Sequence, residues 1–525
     1  MPARFFNTAG PTVPGKHYAV EPLSRLDVEQ VEALIEAERY FVLHAPRQTG
    51  KTTCLLALME RLNNAGRYHC VYTNIESAQA ARSDVARGIE AVLASIATDA
   101  SIEPRDTFPE TIRQEVLRSA GPMAALRVLL TRWSESLDKP LVLFIDEVDA
   151  LVGDTLISVL RQLREGYRAR PRSFPQSIVL CGIRDVRDYR IRSSGGEIIT
   201  GGSAFNVKAT SLRLGDFTAD EVRDLLLQHT SDTGQRWTEE ALDEIWRLTL
   251  GQPWLVNALG NEITFEMPEG RDRSRTIDLA MVTTARERLI LRRDVHIDQL
   301  ADKLKEPRVR RVIEPILASE ELEEPLNEDD LQYVLDLGLV RRGPNGPEIA
   351  NPIYREVLPR QLTAMTQLSL EPTQDPRWYV TRDGRLLFEK LMEAFQQFYR
   401  ENSEHWVERF EYREAGPQLL LQAFLQRIVN GGGRVDREYG LGRMRTDLLV
   451  VWPHPGGEQK VVVEAKVVRR SRNATIEEGL VQARAYMDRC GTSDGHLVLF
   501  DARDGMSWDD RVFRDERDGI RIWGM

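Results

Sequence analysis

The chain has 525 residues, a length that predicts roughly three or four domains. Hydrophobic residues make up 42% and charged residues 29%, and no apolar run reaches the ~18 residues of a membrane span, so a globular, cytoplasmic chain with no membrane partner is expected. The net charge of -11 excludes a uniform basic coat for nucleic acid but leaves room for a local basic groove.

Residues 1–26 are rich in Pro and Gly and predict an arm around the core. The N-terminus has no long apolar segment of the secretory type. Asp27 to Glu38 reads as a helix, and Tyr40-Phe41-Val42-Leu43 as a strand. The turn Ala45-Pro46-Arg47-Gln48-Thr49-Gly50 follows, then Lys51-Thr52-Thr53 and the helical pattern Cys54 to Met59. Strand, loop and helix in this order predict a phosphate-binding loop. Its backbone N–H groups and the helix N-terminus hold phosphate oxygens. Lys51 is expected to reach the β- and γ-phosphates and Thr52 to ligate Mg²⁺. Ala45 stands where the usual G-x-x-x-x-G-K-[ST] pattern has its first Gly.

Tyr68 to Ile75 predicts a second strand, and Ala80 to Leu137 a helical region broken near Pro104 and Pro109. Pro140 to Ile145 is a continuous apolar run ending in Asp146-Glu147, the pattern of a buried parallel strand. Ligands of open α/β sheets bind at that carboxyl edge. Asp146 is therefore expected to hold Mg²⁺, and Glu147 to orient and deprotonate the attacking water. Ser177 to Ile183 is another buried strand, leading to Arg184, which is placed to approach the γ-phosphate. Phe205 to Ala209 reads as the last strand.

From Asp216 the pattern is helical. Thr218 opens one helix with a capping box, Thr238 another, and Gly251-Gln252-Pro253 turns into a third. Residues 303–362 fit a winged helix: a helix Arg308 to Leu317 that Pro315 would kink or end early, a second over Asn327 to Leu337, and a hairpin around a Gly-Pro-Asn-Gly turn. Its second helix carries Glu328, Asp329 and Asp330, so a packing role is expected over DNA binding. Ser369 to Pro376 is the expected linker. The four cysteines lack metal-ligand spacing and read as reduced thiols.

Beyond the linker, Gln418 to Ile428 predicts a helix, Arg434 to Tyr439 and Thr446 to Trp452 strands, and Lys460 to Val467 a further strand. Glu477 to Arg489 predicts a helix with Gln482 and Tyr486 on one face. Alternation along a strand puts Glu464 and Lys466 on one side. With Asp447 this makes two carboxylates for Mg²⁺ and a lysine beside the activated water. Arg434, Arg437, Arg443, Arg445, Arg469, Arg470 and Arg472 are candidate phosphodiester contacts.

This stretch resembles the PD-(D/E)xK nuclease superfamily, with Thr446 in place of its Pro before the Asp. The resemblance implies that Asp447 and Glu464 are metal ligands, with Ala465 counted in the metal set. It implies that Lys466 and Glu414 are catalytic and that Gln482 and Tyr486 form a supporting Q-x-x-x-Y element. Residues 20–362 resemble AAA+-related ATPases of the STAND or archaeal-ATPase kind, on Ala45 to Thr52, Asp146-Glu147, Arg184 and Gly251-Gln252-Pro253. The combination resembles bacterial ATPase–nuclease fusions considered with mobile elements and anti-phage defence.

The expected fold is α/β. It comprises a P-loop parallel-sheet core (1–215), a helical lid (216–302), a winged helix (303–368) and a restriction-endonuclease-like domain (369–525). The nucleotide set is Ala45, Pro46, Arg47, Gln48, Thr49, Gly50, Lys51, Thr52, Thr53 and Arg184. ATP and Mg²⁺ are the expected cofactors, with Mn²⁺ able to substitute at the nuclease site. Nucleic acid, DNA ahead of RNA, is the expected partner, and homo-oligomerisation is left open. Two rival readings are a signalling or scaffold ATPase whose C-terminal part binds without cutting, and a DNA-translocating motor.

Overall fold

The computed structural model describes residues 4–184, 190–192, 198–200, 205–292, 302–318, 326–344, 346–362, 379–407, 416–429, 433–439, 446–503 and 505–525. The chain divides into two compact units, Met1–Leu289 with Asp336–Gly338, and Ile290–Leu335 with Leu339–Met525. No helix among the described residues is long and apolar enough to cross a membrane.

The first unit is built on β1 (Tyr40–His44), β2 (His69–Asn74), β3 (Leu141–Asp146), β4 (Ser177–Gly182) and, after a short antiparallel pair β5 (Arg190–Arg192) and β6 (Ile198–Thr200), β7 (Lys208–Arg213). The five-stranded sheet runs β2-β3-β4-β1-β7 with every pair parallel. Parallel strands are covered on both faces, so they read as unbroken apolar runs. Alternate residues then divide between two cores. Tyr40, Val42, Leu143 and Ile145 face the helices of residues 85–136 with Trp133. Phe41, Leu43, Val142 and Phe144 face Cys54, Leu55 and Leu58 of the helix Lys51–Ala65.

Several sequence expectations need correction here. The helical region breaks at residues 103–107 and again at 121–124; Pro109 opens the helix Phe108–Ala120, because a first-turn N–H has no intrahelical partner to lose. The last strand lies at Lys208–Arg213 rather than over 205–209, set by its pairing with β1. The capping box at Thr218 and the cap at Thr238 are present.

Residues 4–26 do wrap the core. Phe6 and Tyr18 are buried, and Arg4 pairs with Asp232 at 2.8 Å. Gln228 Nε2 donates to the Ala19 carbonyl at 2.7 Å, and Trp254 Nε1 donates to the Thr8 carbonyl at 3.0 Å. The arm is thereby bonded to two helices, Ala219–Thr233 and Pro253–Asn261, within the segment expected as a helical lid.

The second unit holds the helices Pro307–Ala318 and Glu328–Asp336, the antiparallel hairpin β8 (Val340–Gly343) and β9 (Gly346–Ile349), and the helix Pro352–Leu362. The helix Pro307–Ala318 runs through Pro315, close to the expected Arg308 to Leu317. Three basic residues of these elements are ion-paired: Arg311 with Asp330 at 2.9 Å, Arg310 with Glu314 at 2.7 Å, and Arg341 with Glu348 at 2.7 Å. The linker expected at 369–376 lies outside the described residues.

The helices Phe388–Val407 and Gly416–Val429 precede a six-stranded sheet. Its strands are β10 (Arg434–Tyr439), β11 (Thr446–His454), β12 (Gly457–Val468), β13 (Gly495–Asp501), β14 (Phe513–Arg517) and β15 (Ile520–Gly524), in the order β10-β11-β12-β13-β15-β14. The sheet is mixed: β12–β13 and β13–β15 are parallel, the other pairs antiparallel. The helix Arg472–Cys490 makes the parallel crossover and starts five residues before the expected Glu477. The helix Phe388–Val407 and the strands β13, β14 and β15 were not anticipated from the sequence.

Gly251 sets the entry to the third lid helix. Its φ is +80°, and a Cβ there would sit 1.9 Å from the Phe217 carbonyl oxygen. We expect Gly251→Ala to cost about 2–3 kcal/mol, seen as a lower Tm in thermal unfolding. An unchanged Tm would contradict this close approach.

Candidate functional site

The loop between β1 and the helix Lys51–Ala65 is held by its own polar groups. The Ala45 amide donates to the Gly182 carbonyl at 3.2 Å, and Thr49 Oγ1 donates to the Pro46 carbonyl at 2.8 Å. Gln48 and Gly50 both have positive φ, at 58° and 85°, which turns the chain back toward the helix start. Ala45 is accommodated because its φ is ordinary and its methyl packs in the core beside Leu43 and Cys54. The helix begins at Lys51, so Thr52 and Thr53 lie in its first turn.

Lys51 is only 7% exposed, and its Nζ donates to the carbonyls of Ala45 and Pro46 at 3.0 and 2.9 Å. Its ammonium therefore stands inside the loop's own ring of backbone. Thr52 Oγ1 donates to Asp146 Oδ2 at 2.8 Å, and Tyr72 OH donates to the same oxygen at 3.0 Å. Asp146 is 0% exposed at the end of β3. A hydroxyl and a carboxylate in contact are a donor set of hard oxygens, which fits Mg²⁺. Glu147 follows in a left-handed conformation, φ +58°, with its amide donating to Asp146 Oδ1 at 2.9 Å. Burial and the adjacent Asp146 charge hold the Glu147 carboxyl above the usual glutamate range. Arg184 stands two residues past β4, half-buried. Arg47 and Pro46 complete the loop, half-exposed to exposed at its outer turn.

The structure adds residues that sequence reasoning missed. Arg25, from the arm, donates through Nη1 to the Thr49 carbonyl at 2.8 Å and to the Gly215 carbonyl at 2.9 Å. Its guanidinium lies 4.8 Å from the Phe217 ring centroid, and burial pulls its pKa down. The Thr12 amide donates to Thr53 Oγ1 at 3.0 Å. Arm, loop and the helix Pro253–Asn261 line an open cleft, walled by Thr8 and Val20, by Gln48, Gly50 and Thr53, and by Phe217, Pro253, Trp254 and Asn257. The only sequence signal for the arm's part in this was its Pro and Gly content.

In the second unit, Glu464 and Lys466 of β12 face the same side, as alternation predicts. Lys466 Nζ lies 2.6 Å from Glu464 Oε1, and the two side chains are 6% and 0% exposed respectively. Lys466 also bonds Gln482 Oε1 of the helix Arg472–Cys490. Tyr486 is buried on that same face with Leu449, Val451 and Val462. Asp447 precedes Leu448 on β11, Glu464 follows Val463 on β12, and Leu448 pairs with Val463, so the two acids hold adjacent ladder positions. Ala465 turns its methyl into the opposite core beside Val498 and Phe500. Any metal contact from Ala465 would have to come from its backbone carbonyl.

Glu414, Arg443 and Arg445 lie outside the described residues. Arg472 is committed elsewhere: it bonds Asp501 at 3.0 Å and lies over the Phe513 ring at 4.6 Å. Arg469 and Arg470 are exposed. Among the described residues, no group of three or more His, Cys, Asp or Glu side chains is arranged to hold a metal.

Residues 35–189 match the family model described as an AAA domain. A comparison with curated proteins found no match. Among solved structures, the chain is similar to a Walker-type ATPase of Pyrococcus abyssi (TM-score 0.47, 15% identity, 67% of this chain and 99% of that chain). It is similar to Cdc6p from Pyrobaculum aerophilum (TM-score 0.37, 15% identity, 68% and 98%). A third similar structure is the Thermotoga maritima RuvB Holliday junction branch migration motor (TM-score 0.33, 17% identity, 63% and 94%). With the loop, the helix start and the acidic strand end already described, the family match makes residues 35–189 an AAA-type P-loop ATPase domain.

Proposed function

We propose that the chain is an ATP-binding and ATP-hydrolysing switch whose second unit is a Mg²⁺-dependent nuclease, acting on DNA ahead of RNA. On the ATPase side the supporting observation is the Thr52–Asp146 contact, which puts the loop hydroxyl and the strand-end carboxylate on one point. There Thr52 and Asp146 hold Mg²⁺. Held there, Mg²⁺ would supply positive charge to the phosphates that the loop binds. Lys51 exchanges its two loop carbonyls for phosphate oxygens, Glu147 takes a proton from the attacking water, and Arg184 responds to the γ-phosphate.

On the nuclease side the reading is carried by the convergence of Glu464, Lys466 and Gln482 on one sheet face, with Asp447 next in the ladder. Asp447 and Glu464 hold the divalent ion, Mg²⁺ or Mn²⁺, which polarises the scissile phosphate. Lys466 orients the water, and Glu414 adds the acid of the leading helix. Gln482 fixes the Lys466 ammonium, and Tyr486 packs beneath it. The ion-paired basic residues of Pro307–Ala318 and β8 favour an internal packing role for a winged helix there. The resemblance to ATPase–nuclease fusions is what suggests a role in anti-phage defence or mobile-element biology. One observation favours the scaffold reading: Glu464 is 0% exposed and already paired with Lys466. A carboxylate so placed must exchange its lysine before it takes a metal.

Two outcomes test this reading. Glu147 works as a base only when ionised, and its pKa is raised, so the ATPase rate falls with acid at a pH above that expected for an ordinary glutamate. Glu147→Gln should remove that limb and lower kcat about 10²–10⁴-fold while ATP still binds. A full rate in Glu147→Gln sinks the base assignment. Second, cleavage of DNA and RNA with Mg²⁺ or Mn²⁺, with and without ATP, should be lost in Asp447→Ala, Glu464→Ala and Lys51→Ala. Cutting that survives Lys51→Ala refutes control by the ATPase. Nucleic acid bound but never cut by the wild type establishes the scaffold reading instead.

A further inference from the structure

The helix Gly153–Gly166 of the first unit turns Val159, Leu160 and Leu163 into the core. Its outer face carries arginine. Arg161 is exposed, and so is Arg168 in the single turn Tyr167–Ala169 that continues the helix. Seven residues are close to two helical turns, so the two share a face, about 10 Å apart along the axis. Arg172 is exposed in the turn that follows, where the Ser173 amide donates to the Ala169 carbonyl at 3.0 Å. None of these three guanidinium groups has an acid or a hydrogen-bond partner among the described residues. Glu165, the one acid in the sequence between them, is taken by Arg127 of the helix Ala125–Ser136 at 3.3 Å. Arg170 is used inside the fold, with its guanidinium 3.4 Å from the Tyr167 ring centroid. The net charge of the whole chain is -11, so this run of unpaired cations stands against the average.

We propose that Arg161, Arg168 and Arg172 are a nucleic-acid contact on the ATPase unit, holding the phosphodiester backbone of duplex DNA without reading its bases. The inference rests on the reading that nucleic acid is a partner of this chain, and it adds a place outside the second unit where that partner is held. The planar fork of a guanidinium matches phosphate oxygens. About 10 Å along the axis spans roughly three phosphate steps of one strand. Each cation that meets a phosphate releases a condensed counterion, and that release is the source of the affinity. A lipid surface with anionic headgroups would ask for apolar side chains beside the cations, to enter the bilayer. Here the helix keeps Val159, Leu160 and Leu163 for the protein core, so its outer face binds through charge.

The test is a fluorescence-anisotropy titration of a mixed-sequence DNA duplex with the full chain over a range of salt, with EDTA present so that nothing is cut. Arg161→Ala, Arg168→Ala and Arg172→Ala together should weaken binding about tenfold or more at about 0.1 M salt. The same change should lower the slope of log affinity against log salt by about three. The matching triple Arg→Lys variant should keep most of that slope, because the charge remains. All three proteins should share one Tm, since only exposed side chains change. Equal affinity and slope in wild type and the Ala variant overturn this contact but leave the nucleic-acid reading standing. A loss in the Lys variant as deep as in the Ala variant overturns it as well. Vesicles of phosphatidylserine and phosphatidylcholine bound through these arginines as tightly as the duplex overturn the choice of DNA. A wild type that binds no duplex overturns the nucleic-acid reading itself.

Discussion

The guanidinium of Arg25 ties three parts of the first unit to one point. It leaves the arm, bonds the carbonyl of Thr49 in the phosphate loop and that of Gly215 at the entry to the lid, and lies over Phe217. A buried cation is costly unless its donors are used. Two carbonyls and an aromatic face answer part of that cost, and the Gly215 carbonyl lies 190 residues from Arg25 in the chain. Gly50 is the natural neighbour, since a Cβ there would meet Arg25 Nη2 at 2.9 Å. The glycine of Gly50-Lys51-Thr52 thus serves the turn, through its φ of +85°, and also the approach of Arg25.

This explains which parts of the site could be read from sequence. Lys51, Thr52, Asp146 and Glu147 stand in short local patterns, a loop before a helix and an apolar strand ending in acids, and the parallel sheet brings them together as those patterns require. Arg25 and Thr12 belong to no such pattern. Their roles come from packing between distant segments, and a Pro- and Gly-rich arm has no periodicity from which a contact can be inferred. The displaced last strand has the same origin: β7 is positioned by its partner β1, while the more apolar Phe205 packs in the core before the strand begins.

In the second unit the legible part was again the periodic part. Alternation set Glu464 and Lys466 together, and helical spacing put Gln482 and Tyr486 on the face that meets them. The burial of that ion pair was not legible. Two opposite charges at 2.6 Å in a dry environment hold each other strongly, and removing one partner leaves the other uncompensated. β13, β14 and β15 escaped notice although His496 to Phe500 is a buried apolar run, because such a run carries no alternation and resembles a buried helix segment. Exposed charges on β14 further blurred its pattern.

On the proposed function, the arm is a wall of the nucleotide site, fastened through Arg25. The most direct measurement is the ATP affinity of Arg25→Ala and Arg25→Lys against wild type. The account predicts a loss of about tenfold or more in Arg25→Ala and a smaller loss in Arg25→Lys, which keeps the charge but not the fork of donors. Equal ATP affinity in wild type and Arg25→Ala, with both proteins folded, would contradict it.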